Sequence, residues 1–189
     1  IVYYLLMKKT KIDDNLFQDC KHIEKIAIPP NITSIGNNSF QSCTSLTSVS
    51  IPSSIKSIGE CAFCSCSSLK RISIPSSVTT IENNCFNKCE SLIKVSIANS
   101  LTNISLRLFY YCCSLKKISI PSSVTKIEKS AFYGCRSLEN VYITSSVKSI
   151  EICSFYSCYK LKTISIPPLL TTIQFYLFQY CSSLDHIII

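Results

Sequence analysis

The chain has 189 residues, 47% hydrophobic and 16% charged, which excludes a disordered chain and allows one domain with a real core. Three Gly and seven Pro exclude a collagen-like or flexible polymer, and no apolar run approaches the roughly 20 residues of a membrane-spanning helix. The net charge of +8 tolerates an anionic partner without specifying one.

The opening IVYYLLM has neither a basic leader nor a small-residue cleavage site, so it does not read as a signal peptide. It starts with Ile, and the chain reads as a fragment or processed product. Beyond it, a doublet of branched apolar residues returns every 23 residues, at Ile26, Val49, Ile72, Val95, Ile118, Val141, Ile164 and Ile187. Phe keeps the same step from Phe17 to Phe178, Cys from Cys20 to Cys181, and Leu from Leu46 to Leu184 with Ile23 at its head. An Ile column runs from Ile12 through Ile35 to Ile150 and Ile173. Columns in one register mean one structural unit copied about eight times along residues 1–189, a single array with residues 1–20 as a worn first coil. That first coil keeps Leu5, Ile12, Phe17 and Cys20.

Within each unit the elements follow in a fixed order. The segment L-x-x-[IV]-x-I is β-branched and predicts a short strand. Pro29, Pro52, Pro75, Pro121 and Pro167 close it, because Pro cannot donate to a ladder. A second apolar pair, such as Val78 and Ile81, marks an extended return segment. Around NNCFNKC the spacing predicts one turn of α- or 3-10 helix with Phe and Cys inward. No unit buries its apolar face alone, so stacked coils must share a continuous core. Strands about 4.8 Å apart would give a rod or arc on the order of 40 Å long. The chain stops at HIII, inside a strand with no polar cap, and an uncovered edge predicts end-to-end self-association.

The units IPSSVTTIENNCFNKCESLIKVSI and IPSSVTKIEKSAFYGCRSLENVYI resemble BspA-like, or treponemal-type, leucine-rich repeats over residues 12–189. The resemblance implies an α/β leucine-rich-repeat solenoid, a horseshoe or arc with its parallel sheet on the concave side and short turns on the other. It implies a non-enzymatic protein-binding or adhesive module at a cell surface or secreted, although a cytoplasmic location stays open. It supplies no catalytic residue. Two departures stand out: only Gly36 and Gly59 keep the family's glycine after the return segment, and Ala98 and Thr144 replace the strand-ending Pro.

Eight of the thirteen cysteines are the repeat column and read as packed thiols rather than a disulfide ladder. Parallel side chains resist the perpendicular torsion that a disulfide needs. Cys85 shares a column with Ala62 and Ala131 and reads as core, whereas Cys61, Cys64, Cys113 and Cys153 sit in polar columns and read as accessible. Accessible free thiols suit a reducing compartment. CAFCSC resembles a zinc knuckle, but no His or second Cys pair follows at finger spacing. His22 and His186 stand at opposite ends with no companion motif, and no phosphate loop or HExxH is present, so neither enzyme activity nor a cofactor or metal is expected.

Binding must use the columns that the core leaves free. The residue before the strand doublet and its neighbour give Lys25, Lys70, Arg71, Lys94, Lys116 and Lys117, a basic strip through the middle coils. Charges about 5 Å apart repel by roughly 0.8 kcal/mol in water, so a solvated face is tolerable. A ligand reading points to an acidic protein patch or sulfated glycan. Nucleic acid is not expected, because no aromatics interleave the strip. The second candidate surface is Tyr110, Tyr133 and Tyr156 in one column with Tyr159 beside it. Those rings serve either as outer core or as contact area with polar tips. A spacer within a longer chain, without its own ligand, is the remaining alternative.

Overall fold

In a computed structural model residues 5–189 are described. The chain winds as a parallel β-solenoid. Eight strands form one sheet: β2 (Lys25–Ala27), β4 (Ser48–Ser50), β6 (Arg71–Ile74), β8 (Lys94–Ile97), β10 (Lys117–Ser119), β12 (Asn140–Tyr142), β14 (Thr163–Ser165) and β15 (His186–Ile188). The return segments make a second, interrupted layer. It comprises β1 (Lys11–Ile12), β3 (Ser34–Ile35), β5 (Ser57–Ile58) and β7 (Thr80–Ile81), then β9 (Asn103–Ile104), β11 (Lys126–Ile127) and β13 (Ser149–Ile150). Register follows the 23-residue step throughout, as in Ile72 opposite Val95 and Ile35 opposite Ile58.

The columns become the core. Phe40, Phe63, Phe86, Phe109, Phe132 and Phe155 are fully buried, with Phe86 stacked 5.6 Å from Phe63 and 5.7 Å from Phe109. The first coil keeps Ile12 and Phe17 buried. Leu5 departs from expectation: it is exposed and Leu6 is buried in its place, because both lie in helical backbone rather than in a strand. The part of the worn first coil in residues 1–4 lies outside the described residues.

The helical turn expected around Phe and Cys is a pair of reverse turns. Asn87 N–H donates to Asn84 C=O (3.1 Å) and Cys89 N–H to Phe86 C=O (3.2 Å). The residues between point their N–H groups at the next coil, as Lys88 does to Tyr110 C=O at 2.7 Å. Asn84 and Lys88 carry φ of 58° and 57°, and left-handed residues four apart cannot propagate a right-handed helix. The same two left-handed columns recur in every coil, from Asn15 and Asp19 to Tyr176 and Tyr180.

One substitution reshapes the array at its middle. Where Pro ends the strand, an N–H three residues on donates back to it, as Val78 does to Pro75 C=O at 3.1 Å. Thr144 keeps this turn, with Val147 N–H at 3.3 Å. Ala98 lacks proline's fixed φ, and Ser100 N–H bonds Ala98 C=O instead (2.8 Å), a tighter three-residue turn. The return layer breaks at this coil, between β7 and β9, and the Ser105 hydroxyl donates to Ile81 C=O where a backbone N–H otherwise would. In compensation β6 and β8 share the longest register in the main sheet, Arg71–Ile74 against Lys94–Ile97.

Candidate ligand-binding face

A parallel strand in register puts identical columns side by side, so the outer face of the main sheet is read directly from the alternation of each strand. In β6 Arg71 and Ser73 point out while Ile72 and Ile74 are buried. Arg71 stands opposite Lys94, and Lys94 opposite Lys117. Lys70 and Lys116 immediately precede β6 and β10, and all five cations are exposed. The structure therefore gathers Lys70, Arg71, Lys94, Lys116 and Lys117. Lys25 falls outside this group, because Ser48 on β4 intervenes between it and Arg71.

The tight β6–β8 pair is flanked by looser junctions. Between β8 and β10 only Lys94 and Lys117 are paired, and between β4 and β6 only Ser48 and Arg71. A groove opens at each. The first, about 440 Å³, is lined by Ile93, Lys94, Val95, Ser96, Ile97, Lys116, Lys117, Ile118 and Ser119. The second, about 460 Å³, is lined by Ser48, Val49, Arg71, Ile72, Ser73, Lys94 and Ser96. Lys94 borders both. Ile93 occupies the column of Lys70 and Lys116 yet is apolar and 41% exposed, so the first groove joins an apolar wall to a cationic rim.

Sequence reasoning found the cations and missed the serines. Ser50, Ser73, Ser96, Ser119 and Ser165 form an exposed column beside the charged one, with Tyr142 in the same register. The signal was the small residue between the two branched apolars of each strand. Small side chains leave the sheet surface low, so a ligand can reach hydroxyls and the backbone there.

The tyrosine surface lies on the turn side of the coil. Tyr133 stacks on Tyr110 at 4.8 Å and on Tyr156 at 4.5 Å. Tyr111 and Tyr180, from the left-handed column, meet the stack edgewise or tilted. Arg107 sits over Tyr110 at 5.4 Å and Arg136 over Tyr111 at 5.7 Å, a cation–π arrangement. Tyr159 is exposed and takes no part in these stacked pairs. Burial first, then the neighbouring Tyr111 and Tyr156 phenols, push the Tyr133 hydroxyl up to about 12. Because stacked rings spend their faces on one another, this surface offers edges and guanidinium groups rather than open faces.

The thiol column is inward and hydrogen-bonded. From Cys43 to Cys181 each ladder thiol donates to the Phe carbonyl of the preceding coil, Cys66 to Phe40 at 3.1 Å and Cys89 to Phe63 at 3.2 Å. Burial pushes Cys43 up to about 11 and Cys66, Cys89, Cys112 and Cys135 further. Cys85 is fully buried as expected. Cys61, Cys113 and Cys153 are half-buried, but Cys64, expected to be accessible, is 8% exposed. Its column holds the stacking tyrosines in other coils, and that layer leans over the core. His22 and His186 are exposed and far apart in the array. Among the described residues no three His, Cys, Asp or Glu side chains converge as a metal site, and no helix is long and apolar enough to cross a membrane.

Several solved structures share this architecture. A leucine-rich repeat protein from Eubacterium ventriosum superposes with a TM-score of 0.77 at 25% identity, over 83% of this chain and 42% of its own. The leucine-rich repeat protein of T. pallidum gives 0.76 at 28% identity, over 80% and 71%. One from Bacteroides ovatus gives 0.71 at 28% identity, over 94% and 58%. The chain thus spans less than half the length of the Eubacterium protein. No curated protein matches it. The family described as BspA type leucine-rich repeat region matches residues 10–112 and 102–189, nearly the whole array whose strands, prolines, Phe and Cys columns are described above. The chain belongs to the BspA-type leucine-rich repeat family.

Proposed function

We propose that this chain is a non-enzymatic protein-binding module, of the adhesive kind, displayed at a cell surface or secreted, and that its ligand is an acidic protein segment seated across β6, β8 and β10. The observation that carries the reading is the first groove, where Ile93 and Ile97 offer apolar contact within a rim of Lys94, Lys116 and Lys117. Five cations on three adjacent coils, with acidic residues in their two columns only farther along at Glu24, Glu139 and Asp185, attract an anionic partner, and the apolar wall favours a peptide over a purely charged polymer. Family membership supports an interaction role, since the family is defined by its repeat and not by a catalytic motif.

The test uses a labelled peptide of alternating Glu and Leu, with heparin and a Lys–Leu peptide as comparisons. The Glu–Leu peptide is expected to bind, to lose at least tenfold in affinity in the Lys94→Glu/Lys117→Glu variant, and to weaken as salt rises. Ile93→Ser should weaken the peptide while leaving heparin unchanged. Heparin binding tighter than the peptide and indifferent to Ile93 would replace the reading with a sulfated-glycan module. Failure of both ligands to bind would favour a spacer.

A further inference from the structure

On the turn side, two columns three residues apart meet side chain to side chain. In successive coils they are residues 61 and 64, 84 and 87, and 107 and 110. In each coil the second N–H donates to the first C=O, at 3.0 Å for Cys64 to Cys61, 3.1 Å for Asn87 to Asn84 and 3.2 Å for Tyr110 to Arg107. The side chains follow the backbone. Asn87 Nδ2 donates to Asn84 Oδ1 at 3.4 Å, and the Arg107 guanidinium stands 5.4 Å from the Tyr110 ring centre. One coil holds cysteine in both columns.

We propose that Cys61 and Cys64 form a reversible dithiol–disulfide site, oxidised by a small-molecule disulfide of the glutathione type. A four-residue turn closed by such a bond brings its end Cα atoms within about 7 Å, and disulfides span Cα separations of about 4.4–6.8 Å. The ladder cysteines differ on both counts that matter. They are stacked with side chains parallel, and their thiols are committed to Phe carbonyls, as Cys66 is to Phe40. Cys85 lies close by but is fully buried.

The two thiols divide the work by exposure. Cys61, half-buried, loses its proton to water, and its thiolate attacks one sulfur of oxidised glutathione. The glutathione S–S bond breaks, one glutathione thiolate leaves, and a mixed disulfide forms on Cys61. Cys64, 8% exposed, then deprotonates and attacks the Cys61 sulfur within the turn, expelling the second glutathione thiolate. Two protein thiols are oxidised to one disulfide, and one small disulfide is reduced to two thiols. Burial, and then the Cys64 thiol, push Cys61 up to about 11. Exchange is therefore slow near neutrality and accelerates with pH, while the poor leaving group makes the closed bond persistent.

The intact chain is equilibrated in oxidised and reduced glutathione buffers, quenched in acid, unfolded and alkylated. Trypsin releases the peptide between Lys56 and Lys70, which carries Cys61, Cys64 and Cys66. In oxidising buffer this peptide is expected to keep one alkylated cysteine, Cys66, to lose two hydrogens, and to regain all three sites on reduction. Cys64→Ser should stop at a glutathione adduct on Cys61, and Cys66→Ala should leave the pairing intact. Full alkylation of Cys61 and Cys64 at every buffer ratio, or pairing of either with Cys66 or Cys85, overturns the proposal. So does a Cys64→Ser protein that accumulates no adduct.

Discussion

At the scale of one residue, the cysteine column shows how a repeat selects a side chain. The site needs a small apolar group that can also donate once, because the Phe carbonyl above it is buried. Cys112 donates there to Phe86 at 3.2 Å, as its neighbours do in turn. A thiol meets both needs at low desolvation cost. The consequence is sensitivity to alkali. Burial holds the folded pKa of these thiols above the unfolded value near 8.5. Their contribution to stability is therefore complete below that pH and is lost as pH rises toward the folded values. Each thiol that ionises only when unfolded costs up to about 1.4 kcal/mol per pH unit. Urea midpoints should fall steeply from about pH 8.5 upward, and a flat alkaline profile would contradict the burial of the column. Thiol labelling of the folded protein should reach Cys61, Cys113, Cys153 and the half-buried ladder ends Cys20 and Cys181 before any fully buried cysteine. Uniform reactivity would overturn that order.

At the scale of the element, each coil stands on its strand, its return and its double turn. The strand was legible because β-branched alternation and a closing Pro each have one physical reading. Phe was legible by period alone, and Phe86→Ala, removing a ring stacked on both faces, should cost about 3–5 kcal/mol by urea unfolding. The turn was misread as helical because spacing reports which residues face inward and not the sign of φ. Its left-handed positions hold Asn, Asp, Ser, Cys, Lys, Arg and Tyr, a mixture with no common sequence mark except at Gly134. Lys88 carries φ of 57°, and Lys88→Gly should therefore stabilise the chain by about 0.5–1 kcal/mol, the left-handed strain less the entropy of glycine. Gly134→Ala runs the other way. Its φ is +70° and a Cβ would stand 2.9 Å from the Tyr111 ring, so a loss of at least about 1 kcal/mol is expected.

At the scale of the molecule, the array departs from its pattern in the interior at Ala98 and again in the last coil, where the return segment forms no strand and Ile173, expected in the buried Ile column, is exposed. The amides of Thr79, Thr125 and Lys148 each bond back to the preceding coil at 2.8–2.9 Å. The chain changes its turn at Ala98, and the return layer divides there. Hydrogen exchange should find the Thr102 and Ser105 amides faster than those of Thr79 and Glu82, and restoring proline with Ala98→Pro should slow them. Equal rates would mean that the divided layer opens no more readily than the continuous one. The candidate face was half legible for the same reason. Charges announce themselves in sequence, so the cationic column was visible. The grooves lie where neighbouring strands share a single register pair, which the repeat pattern of the sequence does not report.

The constant step of 23 residues, with successive coils offering one another stacked Phe rings and Cys-to-Phe hydrogen bonds, makes length a free variable of this molecule. Excising residues 124–146, one whole period, would join Ser123 to Val147 and set each remaining side chain on an equivalent partner. Removing one residue more or fewer would throw every later strand face out of phase. The gene for such a protein can grow or shrink by unequal recombination without passing through an unfoldable intermediate, provided that it counts in whole turns.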